Sequence, residues 1–144
     1  MRETTAKPRT LYELMTETAN KLAKRPVIVR LQAPATKGLL GEIHKAASGK
    51  IVIDLRPDLD NSQTITVLLH EIGHARTMDF SPSYYYKQAP GSIPRTPLTN
   101  PQKAHETKAN QLASKWELWG KQNARPDLPY IEGILTALYY DYTE

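Results

Sequence analysis

The chain contains no cysteine. No disulfide can brace its fold and no thiolate can bind a metal, so a metal site here has to be built from imidazole and carboxylate. Nor is there a run of about 18 apolar residues, which excludes a membrane-spanning helix. The opening residues, Met1-Arg2-Glu3-Thr4-Thr5, lack the apolar middle of a secretory signal. With the missing cysteines, this start predicts a cytoplasmic location. Internal repeats and low-complexity segments are also missing.

What is present is the composition of a globular protein. Hydrophobic residues make up 40% of the 144 and charged residues 24%. That length supports one domain, residues 1–144, with a real core. The net charge of +4 is unevenly spread: residues 1–30 hold seven Lys or Arg against three Glu, and residues 127–144 hold four acids and no base. A basic end of this size suits solubility first; contact with nucleic acid or an acidic partner stays open.

Periodicity gives the order of elements. Thr10-Leu11-Tyr12-Glu13 has capping-box spacing, and Leu11, Leu14, Met15, Thr18 and Leu22 follow at helical intervals up to Pro26. Val27–Leu31 is rich in β-branched residues and predicts a strand. Leu39–Lys45 and Lys50–Leu55 predict two more, joined by a hairpin turn at Ser48-Gly49. A helix from about Ser62 to Asp79 follows, with Asn61 or Ser62 as its cap. Residues 80–102 hold five prolines, which forbids a regular helix or central strand, so this stretch predicts a long loop. Helices over about Pro101–Lys121, capped by Asn100, and Pro129–Tyr142 complete the chain. The expected fold is α+β: an N-terminal helix, a small twisted three-stranded sheet, a helix beneath it, and two C-terminal helices.

The helix after the hairpin carries His70-Glu71-Ile72-Gly73-His74, an HExxH motif. Residues four apart share a helix face, so both imidazoles can grip one Zn2+ while Glu71 takes a proton from water. Ile65, Leu68, Ile72 and Ala75 form an apolar stripe that docks the helix on a core. An accidental match would leave the three polar residues on a solvated helix face. His44, in a hairpin strand, is expected to be an ordinary surface or core histidine.

A catalytic zinc takes three protein ligands. The third belongs on a later element, and His105-Glu106 opens the Trp-containing helix. Periodicity puts both within reach of a helix interface and does not choose between them. Two observations favour Glu106. Asn110 lies one turn later, where it can support a ligand histidine from behind. The small residues Ala109 and Ala113 would also let the two helices approach closely. Tyr84, Tyr85 and Tyr86 in the proline-rich loop, together with His44 and His105, are candidate oxyanion donors; anchoring a loop to the surface is the tyrosines' commoner use.

The combination of Ile51-Val52-Ile53-Asp54-Leu55, then Leu69–Ala75 with its HEIGH core, then Glu106-Thr107-Lys108-Ala109-Asn110-Gln111-Leu112-Ala113 resembles the ImmA/IrrE-type metallopeptidases of bacteria, phages and mobile elements. The resemblance covers roughly residues 10–120 in element order, with the specific letters confined to the two motifs. It implies a zincin-like domain in which His70, His74 and Glu106 bind zinc. Glu71 would then be the general base and Asn110 a supporting residue behind the ligands. It also implies a protein substrate, such as a DNA-binding repressor. The proline-rich insert and the short stretch after the second motif depart from the family pattern. Two other readings follow from the same residues: a phage or mobile-element binding module with a structural or vestigial metal site, and a SprT-like DNA-associated protease using His105 as a third histidine.

Overall fold

The structure is a computed structural model. It describes residues 10–78 and 100–144, except the side chains of residues 100–103, 105 and 106. Seven elements follow one another: α1 (Leu11–Ala23), β1 (Val27–Leu31), β2 (Gly41–Lys45), β3 (Ile51–Leu55), α2 (Asn61–Thr77), α3 (Asn100–Gln122) and α4 (Tyr130–Asp141). The fold is α+β, with four helices and a small mixed sheet among the described residues. No helix among them is long and apolar enough to cross a membrane.

Local chemistry starts and stops the helices. Thr10, in extended backbone, caps α1 by accepting the Glu13 N–H at 3.0 Å. At α2 the cap is Asp60, not the anticipated Asn61 or Ser62. The Asp60 side chain accepts from Gln63 N, and the Gln63 side chain reaches back to the Asp60 N–H, which completes a capping box. Aspartate wins because its carboxylate also favours the positive end of the helix dipole. Asn100 lies within α3 rather than ahead of it. At its far end α4 is held by Lys21, whose ammonium donates to the Leu138 and Tyr139 carbonyls at 2.7 Å each. Burial lowers the Lys21 pKa, and nearby Asp141 works against that shift.

The sheet has the order β1-β3-β2. β2 and β3 form the expected antiparallel hairpin, from Gly41 against Leu55 to Lys45 against Ile51. The turn closes with Ala46 N–H on Lys50 O, and Gly49 takes the left-handed φ of 88° that the turn requires. β1 joins the other side of β3 in parallel. β3 is therefore central, and all five of its residues are buried.

One edge of this sheet is closed. Outward-facing amides of β1, Val27 N–H and Val29 N–H, donate to the Asn20 and Thr16 side chains of α1. The other edge, β2, pairs with nothing beyond β3 among the described residues. Arg56 N–H donates to Leu40 O, and Ala46 N–H to Lys50 O, so the hydrogen-bonded pairs of the hairpin continue through 42:54 and 44:52. The main-chain N–H and C=O groups of Gly41, Ile43 and Lys45 therefore face the open edge.

α2 lies at the centre of the packing, touching α1, α3, α4, β2 and β3. From Thr64 to Ala75 every residue but Thr66 is buried. Ile65, Leu68 and Ile72 join Trp116, Ile134, Leu135, Leu138 and the inner faces of β1 and β3 in one hydrophobic cluster. α3 runs antiparallel to α2: Thr66 donates to the Glu117 carboxylate near one end, and Gly73 meets Ala109 near the other.

Candidate metal centre

The HExxH residues fall where α2 is enclosed on several sides. His70, Glu71 and His74 each have 0% of their surface exposed. A solvated helix face is thus ruled out for them. Three polar side chains inside a core carry a large desolvation cost unless they are hydrogen-bonded, ion-paired or bound to a metal.

The two imidazoles turn toward each other. Their Nε2 atoms stand 3.1 Å apart, and the rings meet edge to face at 79° with centroids 4.8 Å apart. Between neutral rings this is one N–H···N hydrogen bond. Two imidazoles bound at about 2.0–2.1 Å to a tetrahedral ion would place their nitrogens about 3.3 Å apart. The spacing already present is within a few tenths of an ångström of that value, so the separation of the two nitrogens suits a divalent ion.

The helix partner comes close at this level. A Cβ added to Gly73 would lie 2.7 Å from the Ala109 carbonyl oxygen and 3.1 Å from Ala109 Cα. Ala109 and Ala113 are both buried, which agrees with their expected place in a close helix contact. Glu106 stands on α3 one turn before Ala109, with His105 beside it. The side chains of both lie outside the described residues, as do Tyr84, Tyr85, Tyr86 and residues 79–99 as a whole. Asn110 is exposed, and among the described residues it makes no hydrogen bond to either ring. No group of three or more His, Cys, Asp or Glu side chains that could hold a metal comes together among the described residues.

The sheet supplies a wall. Gly41, the first residue of β2, rests on α2 at Val67 and on the Glu71 side chain. Motif reading passed over Gly41, although a glycine inside a strand pattern marks a close backbone approach. Asp54 was also passed over. On the sheet face away from α2 it is 2% exposed and accepts two bonds from Arg30, at 2.8 and 3.1 Å. His44 Nε2 lies 3.0 Å from its other side. The hydrogen bond to Asp54 raises the Arg30 pKa. His44 is thus a surface histidine bound into a three-strand row. It projects from the opposite sheet face to Gly41, which removes it from the oxyanion candidates on the α2 side.

No family model matches the chain, and neither curated proteins nor solved structures yield a match.

Proposed function

We propose that this chain is a zinc-dependent endopeptidase of the ImmA/IrrE type, a zincin-like enzyme that hydrolyses peptide bonds in a protein substrate. The observation that carries the reading is the pair of buried Nε2 atoms 3.1 Å apart, one turn from each other on a helix that also buries Glu71. His70 and His74 would hold the ion, with Glu106 as third ligand. His105 is the alternative on the same turn of α3. When bound, zinc supplies a Lewis acid that polarises the scissile carbonyl and brings the pKa of its coordinated water toward neutrality.

The chain's own residues do the rest. Glu71 accepts the proton of the attacking water and later delivers it to the leaving amine. Its enclosure suits that work, because a base shielded from bulk water keeps its proton for the substrate. The open edge of β2 offers outward N–H and C=O groups at Gly41, Ile43 and Lys45, and an extended peptide can add there as a fourth strand. That edge begins beside Glu71, so main-chain pairing would deliver a peptide bond to the base. A DNA-binding repressor in the cytoplasm is the substrate class the resemblance suggests.

Elemental mass spectrometry after dialysis without chelator tests the first half; about one zinc per chain is expected. Glu71→Gln tests the second. It should keep zinc and lose cleavage of a quenched-fluorescence peptide library by 10²-fold or more, about the contribution of a general base. A metal-free chain that takes up none on adding zinc refutes the metal centre, and full cleavage by Glu71→Gln refutes the assignment of the base.

A further inference from the structure

Glycine can be required for its backbone or for its size. Among the described residues the glycines with positive φ are Gly38 and Gly49, and Gly41 is not one of them. Its backbone is one that any residue can adopt. Space is what it provides: a Cβ at this position would lie 2.5 Å from Val67 Cγ1, 3.2 Å from Leu55 Cδ2 and 3.4 Å from Glu71 Cγ. The nearest obstacle is a β-branched side chain, stiff at χ1 and 1% exposed, so it cannot swing aside. Either β2 lifts or Val67 moves, and Glu71 stands one turn along α2 from Val67, beside the same point of β2.

We propose that Gly41 is a positioning residue for the base. Its missing side chain lets β2 settle against Val67 and close to the methylene stem of Glu71. That close approach sets how far the outward main-chain groups of Gly41 stand from the carboxylate, and so holds the peptide-pairing edge and the proton acceptor in register. The inference rests on the peptidase reading, and it adds a residue that no metal or proton touches.

The test uses the full chain loaded with Co2+, whose visible bands report on the surroundings of the ion. Gly41→Ala should take up cobalt as the unaltered chain does, because neither histidine is disturbed. The pH profile of its cobalt bands should move in the direction that Glu71→Gln moves it. Cleavage of the peptide library should fall by about 10–100-fold, the effect of a misplacement near 1 Å. The double variant Gly41→Ala/Val67→Ala removes the nearest obstacle and should recover most of both. Val67→Ile enlarges the contact from the α2 side with Gly41 intact and should shift the profile the same way; it serves if Gly41→Ala does not fold. A Gly41→Ala or Val67→Ile profile that superimposes on the unaltered one overturns the inference. So does a double variant no better than Gly41→Ala while Val67→Ala alone is unimpaired. If the unaltered chain takes up no cobalt, the peptidase reading fails and takes the inference with it; uptake with an unmoved profile removes the inference alone.

Discussion

Gly73→Ala should loosen the joint between α2 and α3, although alanine is the better helix former. In a helix interior alanine gains about 0.8–1.0 kcal/mol over glycine. Against this, the new Cβ would stand 2.7 Å from the Ala109 carbonyl oxygen and 3.1 Å from Ala109 Cα. Carbon contacts are comfortable from about 3.5 Å, so the helices must part by roughly 0.4–0.8 Å. The obstacle is backbone and cannot rotate away. Overpacking of this kind costs about 1–3 kcal/mol, which leaves a net loss of up to about 2 kcal/mol. Gly120→Ala in α3 is the control for zinc binding: its Cβ would meet Ile134 Cγ2 at 2.8 Å and Leu138 at 3.4 Å, which strains α3 against α4 rather than against α2. Thermal melting by circular dichroism should place Gly73→Ala up to about 8 °C below the unaltered chain, given about 2–4 °C per kcal/mol at this chain length. Zinc titration should show weaker binding in Gly73→Ala and unchanged binding in Gly120→Ala, because α3 carries Glu106 and His105 one turn from the Gly73 contact. If Gly73→Ala melts at or above the unaltered chain and binds zinc as tightly, the close approach is not what joins these helices.

Two further outcomes are expected. Glu106→Ala should weaken zinc binding by at least about tenfold in competition with a chromogenic chelator, and His105→Ala should leave it nearly unchanged; the reverse order would make the histidine the third ligand. Glu144, held by Arg76 and Lys24, has its pKa lowered to about 2. A carboxylate with a depressed folded pKa contributes stability that is complete above its ordinary value of 4.5 and fades as pH falls toward 2. Glu144→Gln should therefore cost about 1 kcal/mol at pH 7 in urea unfolding, a difference that vanishes near pH 2; a pH-independent difference would refute the ion-pair account.

How legible all this was in the residues depends on the range over which each feature is decided. The α1 cap, the hairpin turn at Gly49 and the helix bearing HExxH are set by neighbours within a few positions, and the periodicity of Leu14, Leu22, Ile65, Leu68 and Ile72 marks their buried sides. The placement of β3 between β1 and β2 is decided by which strand can be buried on both faces. Only Ile51–Leu55 is enclosed throughout, and its Asp54 hid that, since a lone carboxylate reads as solvent-facing until Arg30 and His44 are seen beside it. The α2 cap is ambiguous in sequence over one or two residues because Asp60, Asn61 and Ser62 are all competent caps, and the capping box with Gln63 separates them only once both hydrogen bonds exist. The spatial meaning of Gly41 and Gly73 needed the partner backbone, which no local pattern contains.

The unequal edges of the sheet set a valence. With Asn20 and Thr16 taking the Val27 and Val29 amides of β1, the β2 side is the edge open to a further strand among the described residues. A chain with two open edges could propagate, each molecule templating the next into a ribbon. One with a single open edge has a terminating geometry: it accepts one strand and stops. Two copies joined edge to edge would form a closed pair and nothing longer. That same pairing would cover the outward groups of Gly41 and Ile43, so self-association and the proposed peptide capture would compete for one row of hydrogen-bonding groups.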